Sequence, residues 1–487
     1  MFKRLFPILL LLGLIVAAPL VLRRDTDVAE SGQGDDRLVI ITPHNDSIRT
    51  EFGEAFAAWW KGQTGRTVFI DWRAPGGGGD IKRVLDASFG AAKALGKEGT
   101  EFDVFFGGGD KDFIEQAAKD RLVPLEVFEK HPEWFGDDKL PAVFSGQEYY
   151  DKDKRWVGVC VSQFGIVYNR DAIGWLKVNP PRKWRDLCHP AYFGRVALAD
   201  PTMSSSVNQA FEMMIQEQMQ AVIRLKGDTP EAREEGWRNG MLVILGMGAN
   251  ARYFTDSSSK VPYDVALGDA AAGTCIDFYG RTTEDAVRHG RGESRVHWIS
   301  PPGGTSVSVD PIAVFRGAPN GKVAQAFVTF CLSDQGQSLW NLKPGTPGGP
   351  RGRALRRLPV RKDLYTPERL ANFTDPDALP FERAGEFVYQ PDLTAPAFNA
   401  LRIIIRAMCI DPQDELKAAW KWAVVDRGGP ADMVFDLSEV GYGKVMNEWV
   451  PLTQKKDVLE TARKTTELSR SFRDQYRRIA EGKGARP

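Results

Sequence analysis

Residues 38–80 read LVIITPHNDSIRTEFGEAFAAWWKGQTGRTVFIDWRAPGGGGD, and the fold is read outward from them. Leu38 to Thr42 is an apolar run of strand-forming residues. Asp46 or Ser47 can cap a helix. Phe52, Phe56, Trp59 and Trp60 then fall at i, i+4, i+7 and i+8, so that helix carries one apolar face. Gly62 and Gly65 end it, Val68 to Trp72 is a second strand, and glycines 76–79 follow. The pattern then repeats: a helix from Asp80 to about Leu95, a strand Phe102 to Phe106, glycines 107–109, and a helix Asp110 to Lys119. This alternation predicts an α/β fold with a mostly parallel sheet and helices on both faces.

In such sheets a ligand sits outside the carboxyl ends of the strands. Those ends hold Thr42-Pro43-His44-Asn45 and the two glycine runs. Glycines there let backbone N–H groups approach a ligand. Neither run continues into the Lys-Ser/Thr of a phosphate-binding loop, and neither forms G-x-G-x-x-G with a later acidic partner, so no nucleotide site is expected.

The 487 residues, 43% hydrophobic and 26% charged, can bury a large core. Lys plus Arg (64) balances Asp plus Glu (64), which leaves no electrostatic footprint for nucleic acid. Lys3 and Arg4 precede an uncharged apolar run, Leu5 to Leu22, with Arg23 and Arg24 behind it. This predicts export, with residues 1–24 as a signal peptide or an N-terminal membrane anchor and 25–36 as a tether. The five cysteines, Cys160, Cys188, Cys275, Cys331 and Cys409, show no metal-ligand spacing and are expected as small buried apolar side chains.

Beyond a break near 130–155, Trp156 to Asn169 reads as a strand pair and Val196 to Ala199 as a strand. Ser204, Ser205 and Ser206 then open a helix, Val207 to Gln220. Hydroxyls at a helix N-terminus are either a capping cluster or an anion site. Strands at Ala271 to Phe278, Val296 to Ser300 and Ile312 to Phe315 follow, then a helix Lys322 to Cys331. Residues 345–397 read as irregular connections. The tail is helical, with a charged helix over 448–482 whose thin stripe is Val458, Ala462, Phe472 and Tyr476.

In order, the segments LVIITPHN, TGRTVFIDW, FDVFFGGG, RLVPL, WVGVCVSQFGIVYNRDAI, PPRKWRDLCHPAYFGRVALADPTMSSS, GANARYFTDSS, VALGDAAAGTCIDFYGR and DPIAVFRGAPN resemble one family. It is that of ABC-transporter substrate-binding proteins of the iron(III)/thiamine/polyamine type, family 1 solute-binding proteins with the type 2 periplasmic fold. The resemblance covers roughly residues 37–345. It implies two α/β lobes around a central cleft, no catalysis, a periplasmic or extracytoplasmic location, and delivery of a small ligand to an inner-membrane ABC permease. The expected division is 37–150 for the first part of lobe 1, 151–290 for lobe 2 and 291–345 for the return to lobe 1. Residues 346–487 are expected as an irregular linker and helical C-terminal extension.

The resemblance also implies a site. His44 matches the histidine after the first strand, Gly108 or Gly109 stands at the acidic position with Asp110 adjacent, and Tyr279 is what remains of a tyrosine pair. Ser204, Ser205 and Ser206 match the loop that grips a carboxylate or phosphate, and Asn250 the residue that assists it. Read from the residues alone, His44, Asn45, Ser204, Ser205, Asn250, Asp277 and Tyr279 fall at strand ends facing one cleft, with mixed donors and acceptors. Trp298 and Tyr253 could wall it. Each also has a structural reading: a hinge or cap for His44, core packing for Trp298, an ion pair for Asp277. No cofactor is expected. Fe(III) would enter only as transported ligand, on His44 and Tyr279 with an exogenous anion. A small anionic or polar solute is the main expectation. A tethered sensor is the alternative, the C-terminal extension serving its contacts. No H-E-x-x-H or G-x-S-x-G motif points to an enzyme.

Overall fold

The computed structural model describes residues 34–288, 292–382, 387–455 and 457–484. The expected signal or anchor and most of the tether lie outside the described residues. Two sheets organise the rest. The first takes β1 (Asp36–Ile41), β2 (Val68–Arg73) and β3 (Val104–Phe106) as a parallel core, β2 and β3 flanking β1. A small hairpin, β4 (Val143–Phe144) and β5 (Gln147–Glu148), stands apart from both sheets. The helix Asp46–Thr64 begins one or two residues earlier than expected, because Asn45, not Asp46 or Ser47, is its cap and accepts from the Ile48 N–H at 3.1 Å. Its Phe52 and Phe56 pack on Phe106, Phe327, Phe330 and Trp340 in an aromatic core.

The expected strand pair over 156–169 is not a pair. β6 (Trp156–Ser162) joins the first sheet, whereas β7 (Phe164–Asn169) belongs to the second. Gln163 alone is the crossing. Both strands are buried on both faces, so they show no alternation that would have separated a hairpin from a crossing. Residues 151–162, expected in the second lobe, therefore stay in the first.

The second sheet has the order β11-β7-β10-β8-β9, with β8 (Val196–Ala199), β9 (Ala251–Thr255), β10 (Ala272–Ile276) and β11 (Val296–Ile299). β11 pairs antiparallel with β7. β12 (Ser308–Val314) lies between β6 and β3 in the first sheet. The return to the first lobe thus runs through 300–307, not from 291.

Two long helices back the second sheet, Ser205–Lys226 and Pro230–Asn250. The second carries no narrow apolar stripe, since it is covered on nearly all sides, and the sequence reading did not place it. Gly236 and Gly240 let the two helices touch: a Cβ on either would overlap the backbone of Met219 or Ile215. This contact fixes where the Ser205 end points.

Residues 346–487 are not an appended extension. β13 (Leu358–Pro359) pairs with β6 and completes the first sheet, while Phe387, Leu401, Ile404, Leu416, Trp420 and Phe472 lie in the second lobe's core. The apolar stripes of these helices cover the Pro230–Asn250 helix, which would otherwise expose its outer face. The expected helix over 448–482 is broken: Val450–Lys455 is separate from Val458–Ala480, which Asp457 caps by accepting from Glu460 N–H at 2.9 Å. Its buried stripe is Leu468, Phe472, Tyr476 and Ile479, and Val458 is exposed.

Candidate functional site

A cavity of about 340 Å³ lies at the seam of the two lobes. That size suits a small molecule. Helix N-termini converge on it. Asn45, Gly77, Gly109, Ser204 and Ser259, which precede or cap five helices, all line it, as do Phe278 and Tyr279 in the first turn of a sixth, Asp277–Arg288. Each helix start leaves N–H groups without intrahelical acceptors and presents about half a positive charge. Six together favour an anion, although the neighbouring side chains include several aspartates.

The Ser204 side chain takes the Val207 N–H at 3.4 Å and so caps the long helix. The N–H groups of Ser205 and Ser206 belong to the same first turn and have no intrahelical acceptor. The Gly76–Gly79 run of the first lobe closes against this turn from the other side: a Cβ on Gly77 would lie 3.1 Å from the Met203 carbonyl, and one on Gly79 3.6 Å from those of Thr202 and Met203. Ser205 Oγ donates to Asp112 Oδ1 at 3.3 Å across the seam.

Three buried polar atoms on residues that line this cavity have no partner: His44 Nε2, Asp112 Oδ2 and Arg357 Nε. Unpaired buried polar groups are costly, and here they gather at one place. Burial, with the charges of Arg357 and Arg49, holds the His44 imidazole well below its ordinary range, so it is neutral at pH 7. Its ring stands edge-on to Phe106 at 4.6 Å. Gly107, with φ of 82°, leaves room for it, since a Cβ there would overlap the imidazole.

Arg357 supplies the buried cation. Its Nη1 meets Asp310 Oδ2 at 2.5 Å and Ser162 Oγ at 3.0 Å, and its guanidinium lies 3.8 Å from the Phe278 ring centre. Burial works against its charge, but Asp310, Cys160 and Asp277 more than restore it, so it stays protonated. Burial pushes the Tyr279 phenol up. For Asp112, burial outweighs Arg402 and Lys82 and pushes the carboxyl up to about 6.

Of the residues expected here, His44, Asn45, Gly108, Gly109, Ser204, Ser205, Ser206 and Tyr279 line the cavity. Asn250 does not: it is fully buried in the second lobe, and its Nδ2 donates to the carbonyls of Leu187 at 2.9 Å and His189 at 3.0 Å. Asp277 is turned away to Arg281 Nη2 at 2.9 Å. Asp110 begins its helix outside the lining, and Asp112, one half-turn on, is the acid that reaches the cavity. Trp298 packs against β7, its Nε1 donating to the Cys275 carbonyl at 3.2 Å. Tyr253 hydrogen-bonds Asp264. Neither walls the cavity. Sequence reasoning missed Asp80, Asp112, Asp256, Ser257–Ser259, Asp310 and Arg357. The serines had a visible signal, a second hydroxyl cluster before a helix. Arg357 had none, lying in an arginine-rich stretch read as irregular.

All five cysteines are free, and four of them are buried. Cys275 lines the cavity.

Two lobes with a polar seam define a class. Residues 101–358 match the family model described as bacterial extracellular solute-binding protein, and the chain belongs to that family. Its members work outside the cytoplasm. Among curated relatives, the phosphoglycerate transport regulatory protein PgtC of Salmonella typhimurium is 24% identical over 216 residues, 43% of this chain and 48% of that protein. The chain thus spans about half the length of the curated relatives it matches. Among solved structures, iron-bound HitA of Pseudomonas aeruginosa is 20% identical with a TM-score of 0.50, covering 76% of this chain and 99% of its own. An extracellular solute-binding protein described as putative, from Bordetella parapertussis, is 18% identical with a TM-score of 0.51, covering 77% and 99%. These two likenesses show the fold.

Proposed function

We propose that this protein captures a small anionic solute between its lobes and hands it to an ABC permease, performing no chemistry on it. The observation that carries this is the convergence of six helix N-termini on one interlobe cavity, three of whose lining residues carry a buried polar atom without a partner. Residues from both lobes touch that cavity, so a ligand bound there favours the closed form over the open one. The relative named for phosphoglycerate transport supports an anionic, phosphorylated or carboxylated, solute. Residues 1–24 would export the chain or anchor it in the membrane.

A ferric cargo finds His44 and Tyr279 on the same cavity, but burial opposes the phenolate that a ferric ion needs. Among the described residues, no group of three or more His, Cys, Asp or Glu is placed to hold a metal. The anion reading is better supported. A second role, reporting ligand to a membrane partner, is favoured by the word "regulatory" in the name of that same relative. Loss of uptake on deleting the gene would mark transport, and loss of induction with uptake intact would mark sensing.

The site is tested by Ser206→Asp, which sets a fixed negative charge on the first turn. Calorimetry with phosphorylated and carboxylated solutes should show affinity falling about 10-fold or more. The melting temperature should stay within about 3 °C, as for a partly exposed polar position. Unchanged affinity would remove this turn from the site.

A further inference from the structure

We propose that Asp112 selects for an oxyanion that carries a proton, such as hydrogen phosphate or, below about pH 6, a phosphomonoester, and against one that carries none, such as sulfate. This rests on the reading that the cavity takes an anion at the start of the Ser205–Lys226 helix.

Asp112 comes from the first lobe and stands at that helix start. Its Oδ1 accepts from Ser205 Oγ, while Oδ2 is without a partner although the residue is only 9% exposed. Oδ2 also faces Gly78, the first residue of another helix that opens on the cavity: a Cβ on Gly78 would lie 2.5 Å from Oδ2 and 3.1 Å from Ser205 Oγ. An anion held by the first-turn N–H groups of Ser205 and Ser206 therefore meets a carboxylate oxygen already in place.

An ionised carboxylate only accepts hydrogen bonds. Beside a fully ionised oxyanion it repels, and the two can bond only if one proton lies between them. The charges around Asp112 do not remove this requirement. Lys82 faces it from the Gly78–Ala94 helix, but its ammonium is engaged by Glu115 at 2.5 Å, and Glu115 lies one turn from Asp112 on the same helix. Arg402 faces it from the Phe398–Ile405 helix, its guanidinium 5.3 Å from the Phe398 ring centre. The Ser205–Lys226 helix contributes the Ser205 hydroxyl and no charge in its first turn. One cation each side and one further acid leave a site for a single shared proton.

That proton can come from either partner. A phosphomonoester loses its second proton near pH 6, and hydrogen phosphate keeps one above that. The Asp112 carboxyl titrates at about 6. Sulfate brings no proton, so it must wait for Asp112 to take one from solvent.

The test is calorimetry of the full chain with inorganic phosphate and with sulfate, titrated into the millimolar range at about pH 8 and about pH 5. At the higher pH, phosphate should bind about 100-fold more tightly than sulfate, the size that the cost of one unsatisfied buried acceptor sets. At the lower pH, protonated Asp112 should donate to sulfate and narrow the gap to about 10-fold or less. Asp112→Asn, whose amide donates to either anion, should reduce the gap to about 3-fold or less at both pH values. The wild-type pH series stands alone if the variant does not fold. Equal affinities in the wild type at the higher pH, or an unchanged ratio in the variant, would overturn the proposal. Binding of both anions alike would overturn the role of Asp112 and leave the anion site standing, whereas binding of neither would overturn the anion site itself.

Discussion

Asp112 is held where its ionised form is disfavoured, and this has a consequence for stability. Its carboxyl titrates at about 6 in the folded protein, against an ordinary 3.8. The folded state thus binds the proton more tightly than the unfolded one. The stabilisation is complete below the unfolded value and is lost as pH rises through about 6, so at about pH 8 the ionised group disfavours folding by about 3 kcal/mol. Asp112→Asn should therefore stabilise the protein in urea unfolding at about pH 8 by up to about 3 kcal/mol, with little difference near pH 4. Equal stabilities at the higher pH would show that the carboxylate is not penalised. Among the site residues, the hydroxyl cluster 204–206 and His44 were legible because polar residues follow apolar strands. Asp112 was not, since an acid in the first turn of a helix is the commonest of dipole partners and nothing local marks one that faces a cavity.

Between the lobes runs a strap, Phe387–Gln390, that no pattern in the sequence announced. Ser145 on the first lobe holds it: Ser145 Oγ donates to the Phe387 carbonyl at 2.6 Å, and the Tyr389 N–H donates to the Ser145 carbonyl at 2.9 Å. On the second lobe, Gln216 donates to the Gln390 carbonyl at 2.7 Å and accepts from the Gln390 N–H at 2.9 Å. Gln220 Nε2 donates to the Val388 carbonyl at 2.8 Å, and the Tyr389 hydroxyl donates to Glu212 at 2.7 Å. A row of buried polar side chains on the Ser205–Lys226 helix, Glu212, Gln216 and Gln220, thus serves a segment some 170 residues away. Gln216→Ala removes several of these bonds and should cost about 2–3 kcal/mol in denaturant unfolding. It should also speed amide hydrogen exchange at Tyr389 and Gln390 by about 10-fold or more. Unaltered protection there would mean that the strap does not depend on this side chain.

Closure of the whole molecule depends on how near the two lobes can come at Gly78. A Cβ at that position would enter the space of Asp112 and Ser205, one from each lobe. Gly78→Val should hold the lobes apart. Ligand affinity should fall about 10-fold or more, and small-angle scattering should show the compaction on adding ligand reduced or lost. The residue begins a helix and has no left-handed backbone angle, so the melting temperature should move by no more than about 3 °C. Wild-type affinity and compaction would place the closing contact elsewhere.

The α/β class, the elements of the first lobe up to Lys119, and the strand ends where a ligand would sit are legible in the chain's own pattern. Those follow from periodicity, glycine runs and caps, which are local. Tertiary structure alone decided that Trp156–Asn169 crosses between sheets at Gln163, because a strand buried on both faces has no preferred partner in its own pattern. It alone brought Arg357 to Asp310 across 47 residues and turned Asn250 and Asp277 into structural bonds. It also split the C-terminal third between the lobes, where those helices bury apolar faces that neither sheet covers. Long-range pairing of buried charges and helix faces is set by which surfaces remain uncovered once the local elements exist, and no stretch of sequence carries that information alone.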